Sequence, residues 1–129
     1  METDGGRRRE GFGLPRQARI TASDEIRTLF RRGKRSKTRH LDAFVSPSPA
    51  AFARLGIVVP KHKRTIVQRN RVKRRLRELG RTVLLPGLGN RGAAMDVLLR
   101  ARPESYTASF AQLRDEVVAL TEELCSRAR

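Results

Sequence analysis

The residues with the clearest chemistry in this sequence form one dense cationic run. Residues 69–77 read Arg-Asn-Arg-Val-Lys-Arg-Arg-Leu-Arg, with six positive charges and no acidic residue. Like charges at i and i+4 destabilise an isolated helix by about a few tenths of a kcal/mol per pair, and a solvated helix face ordinarily intersperses glutamate. The run therefore indicates a binding surface for a polyanion, whose phosphates Arg and Lys can grip.

Asn70 is the one uncharged polar residue of this run. Its amide offers both donors and an acceptor, so it could read a base edge or a ribose hydroxyl. A plain solvent-facing Asn fits the spacing equally well, and both interpretations stay open.

Two phenylalanines are candidates for contact with unpaired bases. In residues 40–46 apolar and polar side chains alternate, and Phe44 falls on the polar face beside Arg39 and His40. There it could stack on a base, or it could pack beneath the first helix. The helical spacing of Phe30 favours a core position instead.

His40 and His62 raise the question of acid–base cleavage of RNA. Neither has a carboxylate close by in sequence to orient it, and basic neighbours suit plain phosphate contact. Zinc-ligand spacing, a phosphate-binding glycine loop and a Ser-His-Asp pattern are all missing from the sequence. We therefore predict no catalytic residue and no protein-held metal.

The net charge of +16 over 129 residues is concentrated along the chain. Residues 54–81 carry 11 basic groups and one acidic group, whereas residues 82–129 carry six of each. The basicity is thus a positioned surface, which favours a nucleic acid as partner. The excess of Arg over Lys suits phosphate contact, and genomic base composition explains it equally well.

Size and composition predict one folded domain, residues 16–126, behind a disordered tail of residues 1–15 rich in Gly and charge. Cys125 is the single cysteine, which excludes an intrachain disulfide, and we expect no disulfide-linked partner. No run of eighteen apolar residues occurs, so we expect no membrane association. A cytoplasmic protein is the simplest interpretation.

The elements that must position the cationic run follow from periodicity. Thr21 or Ser23 caps a first helix of about ten residues that ends at Gly33. Strands are predicted over residues 40–46, 55–59 and 95–100, with a possible extra strand near residues 34–38. The order indicates an α+β fold in which helices cover a sheet.

The cationic run belongs to a predicted helix over residues 66–85, which begins at a capping box formed by Thr65 and Gln68. Its apolar stripe is Val72, Leu76, Leu79 and Val83, and Pro86 should end it. A glycine-rich loop with Gly87, Gly89 and Gly92 should follow. A last helix places Phe110, Leu113, Val117, Leu120 and Leu124 on one apolar face.

Residues 69–74, Arg-Asn-Arg-Val-Lys-Arg, follow residues 55–61, Leu-Gly-Ile-Val-Val-Pro-Lys. This combination resembles the signature of the bacterial ribonuclease P protein subunit. Phe30 with Gly33 resembles the end of that family's first helix, and residues 39–45 its aromatic-bearing strand. The resemblance covers roughly residues 14–125, with departures at Ile26, where an aromatic is common, and at His62, where a second Lys often follows.

The resemblance implies a single-domain α/β sandwich whose mixed sheet has a left-handed β-α-β crossover, against the usual right-handed rule. It implies that the basic helix, matched at Arg69, Asn70, Arg71, Lys73 and Arg74, contacts a catalytic RNA. We extend the expected RNA-binding set to its cationic neighbours: Lys61, Lys63, Arg64, Arg75 and Arg77. A cleft on the sheet should hold the single-stranded 5′ leader of precursor tRNA, with matches at Phe30, Arg39, Phe44 and Lys61.

In that family the RNA subunit removes the leader by Mg²⁺-dependent hydrolysis, and the protein assists substrate binding. We therefore expect Mg²⁺ to be held mainly by the RNA. Two other classes compete: a ribosomal or other structured-RNA-binding protein, and a DNA-binding regulator with a basic recognition helix. A leucine-zipper version of the regulator is excluded, since Gly80 and Pro86 interrupt the heptads it needs.

Overall fold

A computed structural model describes residues 14–127 of the chain. The strands are β1 (Lys34–Lys37), β2 (Leu41–Pro47), β3 (Arg54–Val58) and β4 (Met95–Ala101). The helices are α1 (Ser23–Arg32), α2 (Ile66–Leu79), α3 (Leu85–Asn90) and α4 (Phe110–Arg127), and a π-helical turn (Gly80–Leu84) joins α2 to α3. The predicted strands, including the extra strand β1, and the helices α1, α2 and α4 are confirmed in their order, with strand bounds displaced by one residue.

The four strands form one mixed sheet in the order β1-β2-β4-β3. β1 pairs with β2 and β2 with β4 in antiparallel fashion, whereas β3 and β4 are parallel. The chain therefore leaves the sheet after β3, runs through α2 and α3, and returns as β4. The α+β sandwich is confirmed, and the hand of the crossover stays a prediction.

Both faces of the sheet are covered, because alternate residues of each strand pack against different helices. One face joins Ala43, Leu99 and helix residues such as Leu76 and Leu113 in the main core. The opposite face forms a smaller cluster with α1: Ile20, Leu29, Phe44 and Leu98. The side of β2 that looks polar in sequence is thus a second apolar layer.

Helix α1 has the predicted length and ends at Gly33, but its predicted N-cap is wrong. Ala22 occupies the N-cap position, and no side chain bonds the first amides of the helix. Instead, Glu25 of α1 accepts a hydrogen bond from Arg54 at 3.0 Å. The helix is therefore fixed to β3 through a side chain and not through a local cap.

The predicted single helix over residues 66–85 is wrong at its end. Helical structure continues past Pro86, because Pro86 lies in the first turn of α3, where a missing amide hydrogen costs little. Gly87 and Gly89 are therefore helical and not part of a loop. The π-helical turn begins at Gly80, where a Cβ would approach Leu55 Cδ2 to 2.1 Å.

Helix α4 begins with a capping box in which Ser109 N donates to Gln112 Oε1 at 2.8 Å and Gln112 N donates to Ser109 Oγ at 3.0 Å. Leu113, Val117, Leu120 and Leu124 are buried, as predicted. Phe110 is not, since 38% of its surface is exposed at the first turn of the helix. Its spacing keeps it at the edge of the apolar face, but it is not part of the buried core.

The proposed tail, residues 1–15, lies outside the described residues apart from its last two. Leu14 is buried and belongs to the main core. Arg19 Nε donates to the Leu14 carbonyl at 2.8 Å, which fixes this segment to the chain that follows. Packing therefore begins before residue 16, the predicted start of the domain.

Candidate nucleic-acid interface

Helix α2 starts at the predicted capping box. Gln68 N donates to Thr65 Oγ1 at 3.1 Å, and Thr65 N donates to Gln68 Oε1 at 3.0 Å. Two amides that would otherwise lack partners are satisfied reciprocally. The start of the cationic helix is thus defined by its own sequence.

One stripe of α2 faces the core, and its cations face outward. Val72, Leu76 and Leu79 are buried. Seven members of the predicted RNA-binding set are exposed: Lys61, Lys63, Arg64, Asn70, Arg71, Arg74 and Arg77. Three are half-buried: Arg69, Lys73 and Arg75. The structure therefore places the whole set on one continuous segment, the loop 61–64 and the helix after it.

These cations lack compensating carboxylates within the part of the chain that the structure describes. No ion pair there involves Arg71, Lys73 or Arg74, whereas Arg81, one turn further on, pairs with Glu78 at 2.6 Å. Arg75 donates to the Ala108 carbonyl at 3.2 Å, which ties α2 to the segment before α4. The positive potential of α2 is thus available to an external anion.

The loop 61–64 has a strained backbone. His62 and Lys63 have φ angles of 45° and 61°, in the left-handed region of backbone conformation that residues other than Gly rarely adopt. Arg64 N donates to the Lys61 carbonyl at 2.7 Å and closes the turn. The turn directs Lys61, Lys63 and Arg64 to the surface at the N-terminal end of α2.

Tyr106 supports this loop, and sequence reasoning missed it. Its hydroxyl donates to the Pro60 carbonyl at 3.0 Å, and the Arg64 guanidinium lies 4.9 Å from its ring centroid. Burial raises the pKa of Tyr106, although Arg69 and Arg64 act in the opposite direction. Tyr106 lies in a short 3-10 helix after β4 (Pro103–Thr107), and the sequence does not indicate the contact because Tyr106 and Pro60 are distant along the chain.

The predicted exposure of Phe44 is wrong. Phe44 is buried against α1, and its ring meets Phe30 edge to face with centroids 5.0 Å apart. Arg100 covers both rings, with its guanidinium 5.2 Å from Phe30 and 5.3 Å from Phe44. The alternative in which Phe44 packs beneath the first helix is the correct one.

Arg100 is the second residue that sequence reasoning missed. It donates to Asp42 at 3.0 Å, as Arg35 also does. Burial would raise the pKa of Asp42, but the hydrogen bonds from Arg100 and Arg35 outweigh burial and lower it. A charged pair and two aromatic rings thus line this part of the sheet, with Arg100 half-exposed above them.

His40 is buried, so its side chain is not available for the phosphate contact that the sequence suggested. Its Nδ1 bonds Glu116 of α4, and its amide donates to the same carboxylate at 3.1 Å. Thr38 Oγ1 donates to Glu116 as well, at 2.5 Å. His62 is separate from this pair, with its Nε2 3.4 Å from the Ala101 carbonyl.

Of the predicted leader-binding set, the structure brings only Phe30 and Phe44 into contact. Arg39 lies exposed in the turn before β2, where its carbonyl accepts from Arg102 at 3.2 Å. Lys61 lies exposed after β3.

Among residues 14–127, no group of three or more His, Cys, Asp or Glu side chains could hold a metal ion. In the same range, no helix is long and apolar enough to cross a membrane.

Comparison with solved structures supports the fold. The ribonuclease P protein of Staphylococcus aureus superposes with a TM-score of 0.68 at 22% identity, covering 83% of this chain and 96% of that one. The ribonuclease P protein of Thermotoga maritima gives a TM-score of 0.67 at 21% identity, covering 81% and 96%.

Comparison of sequences identifies the family. The chain is 34% identical over 115 residues to the ribonuclease P protein component of Pseudarthrobacter chlorophenolicus, covering 88% of this chain and 82% of the relative. It is 37% identical over 100 residues to that of Kocuria rhizophila, covering 78% and 85%. The family model for ribonuclease P matches residues 14–125, which include both α2 and the aromatic sheet face. This chain therefore belongs to the ribonuclease P protein family.

Proposed function

We propose that this chain holds the catalytic RNA of ribonuclease P along α2 and the loop 61–64. The observation that carries the proposal is that the exposed cations Arg71 and Arg74 have no carboxylate partner among the described residues. The helix that bears them is fixed to the protein core by its buried side chains Val72, Leu76 and Leu79. Six positive charges on a rigid helix bind a polyanion with little loss of conformational entropy. Phosphate contacts should supply most of the affinity.

We further propose that the sheet face beside α1 binds the 5′ leader of precursor tRNA. Half-buried Phe30, exposed Arg39 and exposed Lys61 support it, since an unpaired strand needs apolar faces flanked by cations. Phe44 is buried and packs beneath Phe30, so it does not itself stack on a base. Arg100, above both rings, adds a cation that the sequence did not suggest.

In this proposal the chain assists a hydrolysis that RNA performs, with Mg²⁺ held mainly by RNA. The carboxylates on the sheet already have cationic partners: Asp42 accepts from Arg35 and Arg100, and Asp96 accepts from Arg54 at 2.7 and 2.9 Å. The cytoplasm is the compartment that we propose, because Cys125 is the single cysteine and is buried as a free thiol.

The test is reconstitution with a transcript of the catalytic RNA and a precursor tRNA. We expect the protein alone to leave the precursor intact, and the protein with RNA to restore leader removal at a Mg²⁺ concentration too low for the RNA alone. Mature tRNA, which lacks the leader, is the matched binding control and should gain less affinity from the protein. Leader removal by the isolated protein, abolished by His62→Ala, would overturn the proposal.

A further inference from the structure

A recess lies on one side of α2, facing the first turn of α4. Its volume is about 490 Å³, within the range of small-ligand sites. We name it the Phe110 recess after the aromatic residue that lines it. Its other lining residues are Leu14, the cations Arg71, Arg74, Arg75, Arg77 and Arg81, and the acidic Glu78, which pairs with Arg81 at 2.6 Å. The recess lies away from the sheet face beside α1, where the leader is proposed to bind.

The lining combines cations with an exposed aromatic ring, which is an unusual surface for a protein in water. Phe110 remains 38% exposed although the next inward-facing residue of its helix, Leu113, is fully buried. Its position does not serve the helix start, because Ser109 and Gln112 form the cap. Capping therefore does not account for the phenylalanine at this position.

Two arginines of the recess, Arg75 and Arg81, are held by partners within the protein, and two others, Arg71 and Arg74, remain able to bind an anion. Arg75 is anchored by its bond to the Ala108 carbonyl, two residues before Phe110. Arg81 is paired with Glu78, whereas Arg71 and Arg74 have no carboxylate partner within the described residues. A phosphate at this site would therefore meet cations beside an apolar ring.

We infer that the Phe110 recess receives one unpaired nucleotide of the catalytic RNA, with its base against the Phe110 ring and its phosphate beside Arg71 and Arg74. A duplex presents its phosphates outside and its bases inside, so it cannot offer a base face to this ring. An unpaired nucleotide offers both at once. The inference rests on the proposed function and adds a specific contact to the electrostatic one.

The chain contains no Trp, so a single substitution creates a reporter. The Phe110→Trp variant should bind a transcript of the catalytic RNA as the parent does, and its fluorescence should be quenched on binding because the indole stacks on a base. The Phe52→Trp variant is the matched control, since Phe52 is 44% exposed and lies outside the recess. Its fluorescence should change little.

The Phe110→Ala variant should weaken RNA binding by roughly 5- to 150-fold, the range for loss of one stacked base. The slope of log affinity against log salt should not change, because no charge is removed. Phe52→Ala should bind as the parent does. Circular dichroism at the binding temperature checks that both variants are folded.

Unchanged affinity of Phe110→Ala together with unquenched Phe110→Trp, while the RNA still binds, would overturn the inference and leave the proposed function intact. Quenching that appears only when a leader-bearing precursor is added would overturn the assignment to the catalytic RNA. If acrylamide does not quench the fluorescence of Phe110→Trp in the free protein, the chain itself fills the recess, and this result would also overturn the inference. Failure of the parent protein to bind the RNA would remove the proposed function as well.

Discussion

Arg74 is one of two side chains, with Arg77, that line recesses on both flanks of α2. It lines the Phe110 recess on one flank, and on the other it lies beside Val67, Asn70 and Lys73. It is exposed, and no described carboxylate pairs with it, so a phosphate is the partner that its position favours. Its removal should therefore affect binding without affecting the core.

We predict that Arg74→Ala weakens binding of the catalytic RNA and reduces the slope of log affinity against log salt by about 0.7 to 0.9, the value for one lost phosphate contact. Binding titrations at four or five salt concentrations measure both quantities. Arg91→Ala is the matched control, because Arg91 is an exposed arginine in the turn after α3. Equal slopes for the two variants would contradict the assignment of Arg74 to a phosphate.

Glu116 is the carboxylate that connects α4 to the turn before β2. Burial acts to raise its pKa, but hydrogen bonds from Thr38 and His40 outweigh burial and lower it. A pKa lowered in the folded state adds stability that is present above the pKa of the unfolded chain and is lost as pH falls through the folded pKa. The contribution of Glu116 should therefore disappear in acid.

We predict that Glu116→Gln lowers the free energy of unfolding by about 1 to 2 kcal/mol at neutral pH, the range for a disrupted buried hydrogen-bonded group. The difference from the parent should shrink as urea unfolding is repeated at successively lower pH, because the native carboxylate becomes protonated as pH falls through its lowered pKa. Glu122→Gln, at an exposed position of the same helix, should unfold as the parent does throughout this pH series. A pH-independent difference would contradict the linkage.

Sequence reasoning found the cations of α2 because their density is a local property of nine consecutive residues. It missed Arg100 and Tyr106, and it misplaced Phe44, because each of these depends on a partner distant in sequence. Phe44 pairs with Leu98 across β2 and β4, and Tyr106 bonds Pro60. Alternation along β2 showed two faces but not that α1 covers the second one.

At the scale of elements, Gly80 decides where α2 can lie against the sheet. A Cβ at this position would stand 2.1 Å from Leu55 Cδ2, and Leu55 is itself 1% exposed. Leu55 therefore has little freedom to move aside in a packed core. The glycine allows β3 and the end of α2 to approach closely.

We predict that Gly80→Ala destabilises the protein by about 1 to 3 kcal/mol through overpacking. Gly89→Ala is the matched control, because Gly89 is helical and a Cβ there has no heavy atom within 4 Å. That change should be neutral or stabilising, by up to about 1 kcal/mol, since Ala favours a helix over Gly. Thermal unfolding of both variants gives the comparison, and equal midpoints would contradict the packing argument.

The elements themselves could largely be predicted from periodicity and capping. The bounds of α1, the capping box of α2 and the stripe of α4 all depend on residues within a few positions of each other. The continuation through Pro86 could not be predicted, because a π-helical turn before it resets the hydrogen bonding so that Pro86 falls in a first turn. The rule that proline ends a helix does not allow for such a change in hydrogen bonding just before it.

At the scale of the whole molecule, a net charge of +16 on 129 residues makes the compact state repel itself. Most of the described carboxylates are already used, for example Asp42 with Arg35 and Arg100, and Asp96 with Arg54. The excess charge must therefore be neutralised by ions or by a bound polyanion. The stability of the protein should therefore depend on the concentration of ions, or of a polyanion, in the solution.

We predict that the midpoint of thermal unfolding rises by about 3 to 8 °C, equivalent to roughly 1 kcal/mol, between about 0.02 and 0.3 M NaCl, because screening relieves the repulsion. Differential scanning calorimetry without RNA measures it. An uncharged solute at the same osmolality should produce a smaller rise. A midpoint that falls with salt would mean that the internal ion pairs outweigh the excess charge.

The position of β4 in the sheet has a consequence for the order in which the protein can form during synthesis. β4 is the last strand to be made, yet it lies between β2 and β3 and pairs with both. Until residue 101 has left the ribosome, β3 has no partner strand and α2 has no completed sheet behind it. The most cationic part of the chain is therefore made before the sheet that packs against it is complete, and addition of β4 is the step that completes its packing.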